Sequence, residues 1–231
     1  MCSSDLLLDL VERERGLGGV VEAELLVVDE RALLLDLVAG DGAQREVERV
    51  RGAVLIGGYS IQNTITPGRP GSPDAARRAW YQWYLNTDVG KAGLEQNRKA
   101  FCEALWREWS PTWKFTPEMY AQTAASFESP DFVDCVVHSY RHRNFNAPGE
   151  PRFAEVEKKL AERPPINVPV ISLHGGDDAF GVPSAEISAG ERATLPQIVD
   201  KRIVPGAGHF VPHEKPEPVA QAIIDLLARA K

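Results

Sequence analysis

The hydrophobic pattern is dominated by short apolar runs that end in glycine or in a charged loop. Ala53-Val54-Leu55-Ile56 stops at Gly57-Gly58 and Val168–Leu173 stops at a histidine and two glycines, while Lys201–Val204 reads as a third strand and stops at Pro205-Gly206. Runs this short, without polar alternation, suit parallel strands buried on both faces. Between the first two strands the period changes. Phe101, Leu105 and Trp109 recur every four residues and mark one buried helix face. Thr116-Pro117-Glu118 and Ser129-Pro130-Asp131 read as helix starts, with proline early in the first turn. A Pro/Gly loop at Pro67–Pro73 opens this helical block and Pro164-Pro165 closes it. Glu217–Arg229 is the last helix, with Val219, Ile223 and Leu227 on one face. Strand, long helical insert, strand, helix, strand, helix describes an α/β sheet with an all-helical segment inserted after one strand.

The first fifty residues follow another pattern. Residues 1–52 contain no Phe, Trp, Tyr, His, Pro, Lys, Ile, Asn or Thr. Aromatic side chains dominate core burial, so their absence over such a length is unusual for a domain. Val20–Val28 and Ala32–Val38 could form two strands around an Asp29-Glu30-Arg31 turn, or helical pieces; periodicity does not decide. A second reading stands ahead of that one. The opening Met1-Cys2-Ser3-Ser4-Asp5-Leu6 looks like a translated adapter remnant, and its continuation like GC-rich DNA read out of frame.

Composition narrows the function classes. The 231 residues are 43% hydrophobic and 26% charged, ordinary for a globular protein, and carry a net charge of -7. An acidic surface repels nucleic acid and anionic membranes, so neither is expected as a partner. No apolar stretch has the ~20 residues a membrane span needs, and the start lacks the basic region of a secretory signal. Cys2, Cys102 and Cys135 are odd in number and fit neither a disulfide framework nor a zinc site. They read as reduced thiols of a cytoplasmic protein.

Two loops carry the candidate chemistry. Leu173-His174-Gly175-Gly176-Asp177-Asp178-Ala179-Phe180-Gly181-Val182-Pro183 follows the second strand, and Pro205-Gly206-Ala207-Gly208-His209-Phe210 follows the third. Ligands of open α/β sheets sit at the carboxyl ends of strands, so a carboxylate and a histidine in successive loops can meet there. Taken alone, Gly-Gly-Asp-Asp is good turn chemistry and His209 is an ordinary packed or surface imidazole. Together, at successive strand ends, they favour a catalytic pair.

Residues 51–231 resemble the lid and C-terminal half of epoxide hydrolases of the α/β-hydrolase superfamily. Gly206-Ala207-Gly208-His209 followed by Glu214-Lys215-Pro216 is similar to the family's histidine loop. Asp178, five residues before Pro183, falls where the family keeps its acid, with Asp177 as runner-up. These loops are shared with dehalogenases and esterases. Trp80-Tyr81-Gln82-Trp83-Tyr84 with Gly93-Leu94-Glu95-Gln96-Asn97 resembles the first lid helix of soluble epoxide hydrolases. Phe127, Pro130 and Ser139-Tyr140-Arg141 resemble the segment that holds a second tyrosine. The resemblance implies that Tyr81 and Tyr140 donate hydrogen bonds to the epoxide oxygen; Trp80, Trp83, Trp106, Trp109 and Trp113 are expected only to pack. A phenol with a pKa of about 10 stays protonated at neutral pH and suits that task.

The resemblance fails at the nucleophile. The family's spacing from Glu48-Arg49-Val50-Arg51 places it near Leu33, where neither Gly-x-Asp-x-Gly nor Gly-x-Ser-x-Gly occurs. Asp29, Asp36 and Asp41 are nearby carboxylates without the flanking glycines, and Asp41, in Gly40-Asp41-Gly42, departs least. The His-Gly-x-Pro type of loop that supplies oxyanion donors is also absent. The expectation is an α/β fold: the C-terminal part of an α/β-hydrolase sheet with an all-helical lid inserted after a central strand. Residues 51–66 and 165–231 form the core, 67–164 the lid and 1–50 an atypical segment. The expected ligand is a small-molecule substrate without cofactor or metal, and the chain as written is expected to be inactive for want of a nucleophile. Unless the strand-like runs Val20–Val28 and Ala32–Val38 fill it, an apolar sheet edge is expected to stand open on the N-terminal side and promote aggregation.

Overall fold

The structure is a computed structural model that describes residues 50–68 and 70–229, and the backbone of 26–28. Four parallel strands lie in chain order: β1 (Leu26–Val28), β2 (Ala53–Ile56), β3 (Val170–Gly175) and β4 (Ile198–Val204). β2 and β3 each pair on both sides, and both are almost wholly buried. This is the interior placement their apolar runs call for.

Two strand boundaries depart from the expectation for identifiable reasons. β3 begins at Val170, not Val168, because Pro169 has no N–H for the ladder and contributes only its carbonyl, to Ala53. It continues to Gly175 because His174 and Gly175 still find partners in Ile203 and Val204. β4 begins three residues before Lys201. Its Asp200-Lys201-Arg202 stretch looks polar in sequence, yet those charges are paired in the structure. Lys201 binds Glu191 at 2.5 Å, and Arg202 reaches Asp200 at 2.8 Å and Asp225 at 2.7 Å. β1 lies within the expected run Val20–Val28 and pairs β2 through Leu26↔Ala53, Val27↔Val54 and Val28↔Leu55. Over those residues the edge of β2 is covered, by one of the two runs able to fill it. Ala32–Val38, Cys2, Asp29, Asp36 and Asp41 lie outside the described residues.

One face of the sheet packs on the last helix. Val54, Ile171, Leu173 and Val204 form a single buried cluster with Val219, Ala222, Ile223 and Leu226. The opposite face joins Ala53, Leu55 and Val170 to Ile61, Ile166, Val168 and Leu195.

Between β2 and β3 the chain is helical: α1 (Pro73–Arg78), α2 (Trp80–Leu85), α3 (Asp88–Trp109), α4 (Pro117–Ala124), α5 (Phe132–Arg143) and α6 (Ala154–Ala161). The Ser72, Thr87 and Thr116 side chains cap α1, α3 and α4 by accepting the backbone N–H three residues on. The insert has its own apolar centres. One gathers Tyr81, Leu85, Leu94, Leu105, Val133 and Val137, the other Phe115, Tyr120, Ala124 and Phe127. After β3 come α7 (Ala189–Thr194), β4, the short α8 (Val211–Glu214) and α9 (Pro216–Arg229). No described helix is long and apolar enough to cross a membrane.

Candidate functional site

The loops after β3 and β4 are locked to each other before either carries chemistry. Gly176 N–H donates to Val204 O and Asp177 N–H to Ala207 O, both at 2.8 Å. A side chain on Gly175 would place its Cβ 1.9 Å from Gly208 O, so only glycine lets the two backbones cross there.

On this crossing sit Asp178 and His209. His209 Nδ1 lies 3.1 Å from Asp178 Oδ2. The other carboxylate oxygen, Oδ1, accepts Phe180 N–H at 2.8 Å and Gly181 N–H at 3.0 Å. Burial works to raise the Asp178 carboxyl, but the His209 hydrogen bond and charge and the two backbone donors outweigh it, so its pKa falls below 3.8. An ionised carboxylate only accepts, so the proton of this bond belongs to Nδ1, and Nε2 is left as the basic nitrogen. Asp177, the runner-up, joins the loops through its backbone N–H.

Tyr81 on α2 and Tyr140 on α5 meet in the insert with ring centroids 5.4 Å apart, edge to face. Tyr81 is only 3% exposed. Its hydroxyl oxygen accepts Gln82 Nε2–H at 3.1 Å and is within hydrogen-bonding reach of the Tyr140 hydroxyl. Burial pushes the Tyr81 phenol well above its usual range; proximity to Tyr140 adds to this and the Gln82 hydrogen bond works against it. It is therefore a protonated donor at any ordinary pH.

Trp109, the last residue of α3, joins the two halves. Its ring is 5.2 Å from Tyr81 and 5.2 Å from His209, and Phe180 closes the side at 5.9 Å from Trp109 and 5.5 Å from His209. Packing was the role expected of Trp109, and it does pack. Its indole N–H is nonetheless buried without a hydrogen-bond acceptor, on a ring that touches Tyr81 and His209.

The histidine loop is held by two residues that sequence reasoning did not single out for this role. Glu214 accepts Gly208 N–H at 2.8 Å and Phe210 N–H at 3.0 Å, one on each carboxylate oxygen. Ser110, the C-cap of α3, donates to Glu214 at 2.7 Å and accepts His209 N–H at 2.8 Å.

Two clefts, one of about 500 Å³, lie away from this pair, around Thr64, His142 and Gly149. Among the described residues no group of three or more His, Cys, Asp or Glu side chains converges as metal ligands do.

No family profile and no curated protein matches the chain. Solved structures do. A candidate epoxide hydrolase from Klebsiella pneumoniae is 32% identical with a TM-score of 0.77, over 97% of this chain and 72% of that one. A candidate α/β hydrolase from Nostoc is 20% identical with a TM-score of 0.64, over 98% and 72%. A loop variant of a haloalkane dehalogenase from Bradyrhizobium elkanii is 19% identical with a TM-score of 0.62, over 96% and 73%. The latter two establish likeness of fold alone.

Proposed function

The chain belongs to the α/β-hydrolase superfamily, in its epoxide-hydrolase-like part, and from that premise we propose that its site opens epoxides with water through a covalent ester. Asp178 orients His209 and stabilises its charged form, His209 Nε2 activates the water that hydrolyses the ester, and Tyr81 and Tyr140 donate hydrogen bonds to the departing epoxide oxygen, one of them supplying the single proton that makes it a hydroxyl. The division into a core of 51–66 and 165–231 with a lid of 67–164 is part of the same proposal. The observation that carries it is the pairing of two tyrosines in edge contact, one of them buried and un-ionised, with the Trp109 and Phe180 rings each touching both Tyr81 and His209. Opening an epoxide creates an alkoxide on the side opposite the nucleophile, and paired phenols are donors of the right strength for it. A carbon–halogen bond releases a halide that takes no proton, and the alcohol leaving an ester can take its proton from the charged His209, which is why dehalogenation or ester hydrolysis on this scaffold is the lesser reading.

A second reading has its own observation. Residues 1–50 hold no Gly-x-Asp-x-Gly or Gly-x-Ser-x-Gly elbow. The chain as written then carries the acid, the histidine and the proton donors, and acts as an incomplete enzyme or a binding module. The phenol assignment is tested in an enzyme reconstructed by placing residues 51–231 behind a family N-terminal half that bears such an elbow. Tyr81→Phe and Tyr140→Phe should each lower kcat on a simple aryl epoxide by about a hundredfold, the usual cost of one oxyanion donor, and affect an aryl ester much less. Equal losses on both substrates count against epoxide opening.

A further inference from the structure

The geometry points to Ser110 and Glu214 as positioning residues that hold His209 in register with Asp178 and make that alignment depend on the helical insert. The inference rests on the Asp178–His209 pair being the working pair, and on nothing about which bond the enzyme breaks.

Three consecutive backbone N–H groups, those of Gly208, His209 and Phe210, end on this two-residue unit. Glu214 takes the outer two on its two oxygens, and Ser110 Oγ takes the middle one. The Ser110 hydroxyl proton is committed to Glu214, so its lone pair faces His209 N–H and both polar functions of the hydroxyl are used. Ser110 is 1% exposed. Water therefore cannot replace it cheaply, and a buried N–H left without an acceptor is costly. The close approach also accounts for a sequence feature that a turn alone leaves open. A Cβ on Gly208 would come within 2.5 Å of Ser110 Oγ and 2.6 Å of its Cα, so glycine before the histidine is required by the end of α3.

Ser110 belongs to the insert, not to the sheet. Its neighbour Trp109 gives its carbonyl to Ala179 N–H, in the loop that carries Asp178, at 3.2 Å. One dipeptide thus ties α3 to both the acid loop and the histidine loop. The same dipeptide carries the indole that touches Tyr81. The relative placement of proton donors and base is set at this joint. Displacing the end of α3 removes the acceptor from His209 N–H, so a movement of the insert is transmitted to the imidazole.

The test uses the 231-residue chain and needs no turnover. In the unaltered protein, proton and ¹⁵N NMR should show His209 as a single Nδ1–H tautomer with a low-field proton, a signal that Asp178→Asn should move. Ser110→Ala and Glu214→Gln should broaden or shift that signal while the circular dichroism spectrum is retained. Amide exchange at Gly208, His209 and Phe210 should accelerate roughly tenfold or more, as loss of a charge-assisted hydrogen bond implies. An unchanged His209 signal in both folded variants overturns the proposal. Should the variants not fold, exchange in the unaltered protein decides. Protection at 208–210 comparable to β3 supports the proposal, and loop-like exchange there overturns it. Failure of epoxide turnover in the reconstructed enzyme leaves this readout untouched, so the two readings fail separately.

Discussion

Asp178 shows how far one residue's role follows from its contacts. All three of its hydrogen bonds favour the ionised form, and they outweigh the burial that opposes it. Its folded pKa lies below the unfolded value, so the stability it contributes is fully present above pH 3.8 and is lost as the pH falls through the depressed folded value. Asp178→Asn should remove that part of the acid sensitivity. Urea unfolding from about pH 6 to about pH 2.5 should show the native chain losing more stability than the variant below pH 3.8. Parallel curves would mean that the carboxylate is no better stabilised in the fold than in the unfolded chain. The pair itself was readable from sequence because each member follows an expected strand and a glycine turn, and the chain alone supplies that context. Ser110 and Glu214 were not readable as a unit. Their bond spans 104 positions, and a serine before a proline looks like an ordinary helix end. The unsatisfied Trp109 N–H is likewise a fact of packing that no local pattern announces.

At the scale of elements, periodicity located the helices well and the strands less well. α9 begins one residue before the expected Glu217, and its buried stripe is Val219, Ala222, Ile223 and Leu226. The expected Leu227 is only partly buried, since a 3.6-residue period drifts past a strict four-residue spacing. α9 covers β2 and β3, the strands that carry the insert and the acid loop, so its packing bears on the site's foundation. Leu226 is fully buried, with Gly52 directly against it, whereas Ile224 is 46% exposed. Leu226→Ala should cost about 2–5 kcal/mol in urea unfolding, and Ile224→Ala within about 0.5 kcal/mol. Similar losses at both positions would place the stripe elsewhere. β4 was underestimated because its charges find partners across elements, and a sequence window sees only the charges.

For the whole molecule, the sheet order and the insert place two kinds of chemistry at one strand-end region. The sheet brings an oriented imidazole, the insert brings paired phenols, and the end of α3 joins them. A hydrolase that works through an ester also needs a nucleophile and oxyanion donors, and residues 1–50 contain no sequence motif for either. β1 pairs the N-terminal edge of β2, so the sheet continues on that side even though residues 1–50 hold no elbow motif. On the proposed function, residues 51–231 carry the base and the proton donors, and an elbow must supply the rest. The most direct test is a side-by-side assay of diol release from a simple aryl epoxide. It compares the chain as written with residues 51–231 joined behind an elbow-bearing N-terminal half, each with and without His209→Ala. No diol is expected from the chain as written, and the joined enzyme should release diol that His209→Ala abolishes. His209-dependent diol from the chain as written, or a folded joined enzyme that releases none, would contradict that expectation.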